Sequence, residues 1–165
     1  MIFIGIDPGI SGGIVGIDEY KNIMFLHVMP STIQELEKIF SDLQKKRYIL
    51  MIYLEKAQAF PGNGSVSMFN YGCHFGELLC LLKTMGIPYE LVPPQTWTKK
   101  IHLPYKRGTK KTSKEKSKES ISILYPGVCL KDPSKKKAKE FHLGLIDALL
   151  IAEFGRQKLM KRKNP

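Results

Sequence analysis

Three acids in this 165-residue chain stand where apolar sequence rarely tolerates them. Asp7 closes the run Ile2–Ile6 and is followed at once by Pro8, Gly9, Ile10, Ser11, Gly12 and Gly13, which allow a tight turn. Glu55 closes Ile49–Leu54, and Asp147 sits inside Leu145–Ile151. A carboxylate in such surroundings is costly unless it is paired or binds a cation. Singly, each has a plainer reading: Asp7 as a turn cap, Glu55 paired with Lys56 or another surface base, Asp147 satisfied by a buried donor. As a set they are harder to keep ionised, since two carboxylates ~4 Å apart repel by about 4 kcal/mol at an effective dielectric near 20. Oxygen donors of this kind suit Mg²⁺, with Mn²⁺ as a substitute. Two such ions in one site, ~3.5–4 Å apart, would activate a water and stabilise a leaving oxygen.

His142 lies five residues before Asp147. In a regular helix that is about 140° around the axis, so it joins the acids only from an irregular first turn. There it would ligate a metal or meet a phosphate; otherwise it is a capping or surface histidine.

The elements that must position these residues follow from periodicity. Residues 1–7, 13–18 and 23–29 read as a three-stranded meander, and 49–54 as a near-continuous apolar strand fit to lie parallel to the first. If those two are neighbours, Asp7 and Glu55 meet at one edge of the sheet, where such folds place ligands. A helix is predicted over 31–46, capped by Ser31 with Gln34 completing the box, its stripe being Ile33, Leu36, Ile39, Phe40 and Leu43. A small-residue loop with Phe60-Pro-Gly-Asn-Gly64 leads to a helix over 66–85, then a strand at 89–92 and a short helix at 95–100 carrying Trp97. Thr112-Ser113-Lys114-Glu115 reads as a helix start, and a last helix runs from near Lys139 to Leu159. The expected fold is α/β, with a mixed five-stranded sheet (antiparallel meander plus parallel strands) flanked by helices. It forms a single domain over 1–160, followed by a frayed basic tail, 161–165.

Charge is the second strong signal. The net charge is +11, and the window 99–139 holds 14 Lys and Arg against 3 Asp and Glu, leaving the remainder balanced at 12 and 12. A neutral body with one concentrated cationic segment favours a polyanion, most commonly a nucleic-acid backbone. The plainer alternative is a solvated loop without a partner. No apolar run approaches the ~18–20 residues that span a bilayer, and no secretory pattern opens the sequence. An intracellular, DNA-associated protein with no membrane partner is expected. Cys73, Cys80 and Cys129 lack metal-ligand spacing and read as reduced core thiols.

These features resemble the RuvC-type Holliday-junction resolvases of the ribonuclease H-like superfamily, particularly their viral and organellar branch. The resemblance spans essentially the whole chain. It is carried by Ile4-Gly-Ile-Asp-Pro-Gly9, the strand ending at Glu55, and His142 with Asp147-Ala-Leu149, and supported by Pro94-x-x-Trp97 and the basic helix start at 110–118. It implies a homodimer that nicks branched DNA symmetrically, leaving 5′-phosphate and 3′-hydroxyl ends, with Asp7, Glu55 and Asp147 as metal ligands. Many bacterial members carry an acid three residues before the last Asp, where this chain has Gly144. Others have a histidine five before it, which matches His142 as the fourth active-site and metal residue. The resemblance also implies an aromatic wedge, for which Phe60 is the candidate, and a dimer-forming helix around Tyr71, Gly72, Phe75 and Gly76, residues that read equally well as core. Lys110, Lys111, Lys114 and Lys118 are the candidate phosphate contacts.

Two other classes fit parts of the pattern. A junction-binding protein of the same fold with little cleavage would keep the basic segment without needing the acids. An actin-like phosphotransferase shares a Gly-Ile-Asp-x-Gly-x-Ser opening but needs two lobes, and 165 residues supply one.

Overall fold

The computed structural model describes residues 1–46, 48–58, 64–105, 110–132 and 141–163. In chain order these form β1 (Ile2–Asp7), β2 (Gly13–Asp18), β3 (Ile23–Val28), α1 (Ile33–Lys45), β4 (Leu50–Glu55), α2 (Ser65–Thr84), β5 (Tyr89–Val92), α3 (Pro94–Ile101), α4 (Ser113–Leu124) and α5 (Leu143–Lys163). The sheet order is β3-β2-β1-β4-β5. β1 runs antiparallel to β2 and parallel to β4, and β5 continues the parallel half. The expected mixed five-stranded sheet is therefore present.

Both faces of the sheet are covered, which is why β1 and β4 read as unbroken apolar runs rather than alternating ones. Ile2, Ile4 and Ile6 point to one side, into a cluster with Leu36, Phe40, Leu78 and Leu82 of α1 and α2. Phe3 and Tyr53 point to the other, against α5, Trp97 and Ile121. α5 crosses β1 so closely at Gly5 that a Cβ there would run into the Ala148 carbonyl.

Several details depart from the sequence reading. The cap of α1 is Thr32, whose side chain accepts from the Glu35 amide at 3.3 Å; the Glu35 carboxylate, not Gln34, reaches back to Ser31. α5 begins at Leu143, later than Lys139, and runs on past Leu159 to Lys163. Every residue from Gly144 to Gly155 except Asp147 is buried, since α5 lies between the sheet and α3 and α4. Within α5, Glu153 is 1% exposed and accepts from Tyr125 Oη (2.9 Å), Arg156 Nε (2.8 Å) and Gln157 Nε2 (2.8 Å), tying α5 to the end of α4. The cysteines are not core: all three are exposed and free. Cys73 and Cys80 fall on the outward side of α2, a helix that fully buries only Leu78 and Leu82. No described helix is long and apolar enough to cross a membrane.

Candidate active site

The last parallel pair between β1 and β4 is Ile6 with Leu54, so Asp7 and Glu55 leave the sheet side by side. After Asp7 the chain turns back through a Gly12 N–H to Gly9 carbonyl bond of 2.7 Å. That turn is packed on the start of α5, where a Cβ at Gly144 would overlap the Ser11 carbonyl and the Gly12 backbone. Asp147, just under one helical turn further on, is thereby delivered to the same sheet edge.

The three acids feel one another. Burial first, then the Asp147 charge, raises the Asp7 carboxyl to about 7, against a Gly9 amide bond that lowers it. Glu55 is pushed up to about 8 by burial, then by Asp7 and Asp147, with the Trp97 indole opposing. Burial also raises Asp147, while the Ser117 hydroxyl and the Lys114 charge pull the other way. Carboxyls raised by burial and by one another at one sheet edge make this a candidate functional site. Among the described residues, no three His, Cys, Asp or Glu side chains already form a metal cage. The donor set nevertheless fits a hard divalent cation: the oxygens are carboxylate, and Asp147 Oδ1 is buried with no hydrogen-bond partner.

His142 sits at the very start of α5. Its amide donates to the Leu130 carbonyl (2.7 Å), its carbonyl accepts from the Leu145 and Ile146 amides (both 3.1 Å), and its ring Nδ1 accepts from the Leu145 amide (3.3 Å). The ring is thus an N-cap acceptor. A neutral imidazole that accepts at Nδ1 carries its proton on Nε2. His142 is not among the groups that shift the three acids.

Lys110, Lys111, Lys114 and Lys118 are all exposed. They are not equivalent. Lys111 is ion-paired with Glu119 and lies 5.4 Å from the Tyr105 ring centroid, which Lys116 approaches to 5.3 Å. Lys114 brings its charge to Asp147. Phe60 lies outside the described residues.

Sequence reasoning missed one neighbour of the acids. Tyr71 is pushed up to about 12 by burial, then by Glu55 and Asp7. It shares the inward face of α2 with Leu78 and Leu82, seven and eleven residues on, and that spacing was the available signal. Tyr71 and the half-buried Phe75 therefore face inward, whereas Gly72 and Gly76 open onto empty space.

No protein-family model and no curated protein sequence matches this chain. Solved structures do. Thermus thermophilus RuvC in complex with a Holliday-junction substrate aligns with a TM-score of 0.61 and 16% identity, over 97% of this chain and 96% of that one. This chain has the RuvC fold. A second T. thermophilus RuvC structure aligns at 0.59 and 19% identity, over 98% and 97% of the two chains. The yeast mitochondrial Holliday-junction resolvase Ydc2 aligns at 0.55 and 18%, over 97% and 79%.

Proposed function

We propose that the protein is a metal-dependent, structure-selective endodeoxyribonuclease that resolves four-way and related branched DNA by paired nicks. The observation that carries this is the convergence of Asp7, Glu55 and Asp147 from β1, β4 and α5, with one buried Asp147 oxygen left unpartnered. A RuvC-fold protein solved with a Holliday junction supports branched DNA as the substrate.

Asp7, Glu55 and Asp147 would hold Mg²⁺ or Mn²⁺, two ions per site. Bound there, the ions supply an activated water and charge neutralisation at the scissile phosphate. The chain's own residues do the rest. The three carboxylates fix where the nucleophile stands. His142, with Nδ1 engaged by the Leu145 amide, presents Nε2–H to a phosphate oxygen in preference to ligating metal. The exposed α4 lysines hold the DNA backbone, which gives affinity but no sequence choice. Hydrolysis leaves 5′-phosphate and 3′-hydroxyl ends.

Paired nicking needs two sites, and α2 offers the contact for a second copy. Val66, Phe69, Cys73, Gly76 and Cys80 repeat at spacings of three and four residues along its outward side. Val66 and Phe69 are each 72% exposed, and nothing fills the space beside Gly76. That repeat is a seam for an antiparallel or parallel helix pair.

The test is a synthetic four-way junction with a fixed core, incubated with the full chain and Mg²⁺ or Mn²⁺. Symmetric, ligatable nicks are expected, and Asp7→Asn should lose at least about 10³-fold in rate while still binding. Normal cutting by Asp7→Asn would overturn the metal-site reading. A wild-type protein that binds the junction and never cuts would favour the second reading, a junction-binding protein, to which the lack of a ready-made cage among the described residues also points.

A further inference from the structure

The cations of α3 have no role in the site as described so far. α3 buries Trp97 and Ile101, four residues apart, and Gln95, Thr98 and Lys99, spaced by three and four, share another side of it. That side forms one wall of an open groove of about 730 Å³, and residues 103–105 with Lys116 of α4 form the other. The walls are pinned together: His102 Nε2 stands 3.0 Å from Ser117 Oγ, and Ser120 Oγ accepts from the Leu103 amide at 3.2 Å. Lys99, Lys100 and Lys116 line the groove, and among the described residues no acidic side chain does. Tyr105 lines it too. Its hydroxyl donates to Glu119 Oε2 at 2.7 Å, which holds the ring, and the Lys116 and Lys111 ammoniums lie 5.3 and 5.4 Å from the ring centroid. Lys100 is steadied over the Phe154 ring, 5.0 Å from its centroid. One end of the groove reaches the edge that carries the acids, since Gln95 donates to Gln58 Oε1 at 3.2 Å, three residues after Glu55.

Resting on the branched-DNA reading above, we infer that this groove is a track for an unpaired DNA strand leaving the active-site edge, with Tyr105 as the ring on which a base stacks. A lysine-lined groove without acids concentrates positive potential and draws phosphates. That alone would suit any polyanion. The ring decides for a single strand. A held aromatic beside lysines offers stacking to a base, and only a strand free of pairing can turn its bases into a groove. Duplex backbone needs no such ring, and the exposed α4 lysines already serve it. Burial, and then the charges of Lys161 and Lys158, hold the Lys100 ammonium below the ordinary lysine range, and a phosphate in the groove would relieve that repulsion. The inference adds a substrate class to the proposed activity: forks and flaps whose single-stranded arm lies between α3 and α4.

The experiment measures affinity in Ca²⁺ for two fluorescent DNA forks that differ in one arm, single-stranded in the first and annealed to its complement in the second. Wild type should bind the first at least about fivefold tighter, the low end for one stacked base. Tyr105→Leu should lose about 10-fold on that fork, change little on the fully paired one, and keep the urea midpoint. Tyr105→Phe, which keeps the ring and gives up the Glu119 bond, should bind nearly as wild type does. Lys99→Ala combined with Lys100→Ala should lower the salt slope on the single-stranded arm by about 1.4, at about 0.7 per lysine. Equal affinity of wild type for the two forks overturns the inference. So does an equal loss by Tyr105→Leu on both, which makes the groove a duplex contact. If Tyr105→Leu does not fold, the lysine pair decides, and an unchanged slope overturns the inference. Wild type that prefers the single-stranded arm but cuts no junction keeps the groove and loses the nuclease reading, whereas wild type that cuts junctions and ignores the arm loses the groove alone.

Discussion

Gly144 is in direct backbone contact with the turn at Ser11, with no room for a side chain between them. No side chain, an acid included, fits three residues before Asp147 in this chain. The β1–β2 turn occupies that space, and the helix start passes to His142. Gly144→Asp should not create a fourth ligand. It should lower stability by about 2 kcal/mol or more, because overpacking against rigid backbone cannot relax. The urea midpoint measures this, and an undiminished midpoint would contradict the packing described.

The raised acids predict an inverted pH dependence for the metal-free protein. Asp7 at about 7 and Glu55 at about 8 bind protons in the folded state that the unfolded chain, with carboxyls near 4, has already lost. Stability from these groups is therefore complete below about pH 4 and falls as pH rises through about 7–8. Urea midpoints in chelator should decline from pH 5 to pH 8.5. Glu55→Gln should flatten the decline, and Mn²⁺ should reverse it at the alkaline end, since the metal binds the deprotonated set. A midpoint that climbs over this range would rule out the coupling.

His142 carries two separable functions. Asn replaces its capping acceptor well, whereas Ala does not. His142→Asn should keep stability within about 0.5 kcal/mol and lose about 10²–10³ in single-turnover rate. His142→Ala should lose about 1 kcal/mol in addition. Wild-type cutting by His142→Asn would confine the ring to the helix start.

The lysines should differ in what they contribute to DNA binding. Each lysine that displaces counterions steepens the salt slope by about 0.9. Lys114→Ala and Lys118→Ala should each remove about that amount, whereas Lys111→Ala should remove less, its ammonium being already engaged by Glu119. Equal slopes for all three variants would show that the ion pair opens on binding.

Phe69→Asp should separate assembly from chemistry. The side chain is 72% exposed, so the fold tolerates the charge, while a helix seam between two copies would not. Light scattering should show wild type as a dimer and Phe69→Asp as a monomer, and junction nicks should lose their pairing. A Phe69→Asp dimer would move the contact away from this face.

The local parts of this protein were legible in its residues. Apolar runs closed by Asp7 and Glu55 specify buried strands, and adjacency at a parallel edge follows once the strands pair. The partition of charge into residues 99–139 needs no coordinates at all. The exposure of Cys73 and Cys80 and the closed space at Gly144 were not legible. Each depends on which helix covers which face of the sheet. Sequence periodicity records that a residue has an apolar side to hide, because burial is set by neighbours three or four positions away. It cannot record what lies opposite, because that neighbour arrives from distant sequence and only packing selects it.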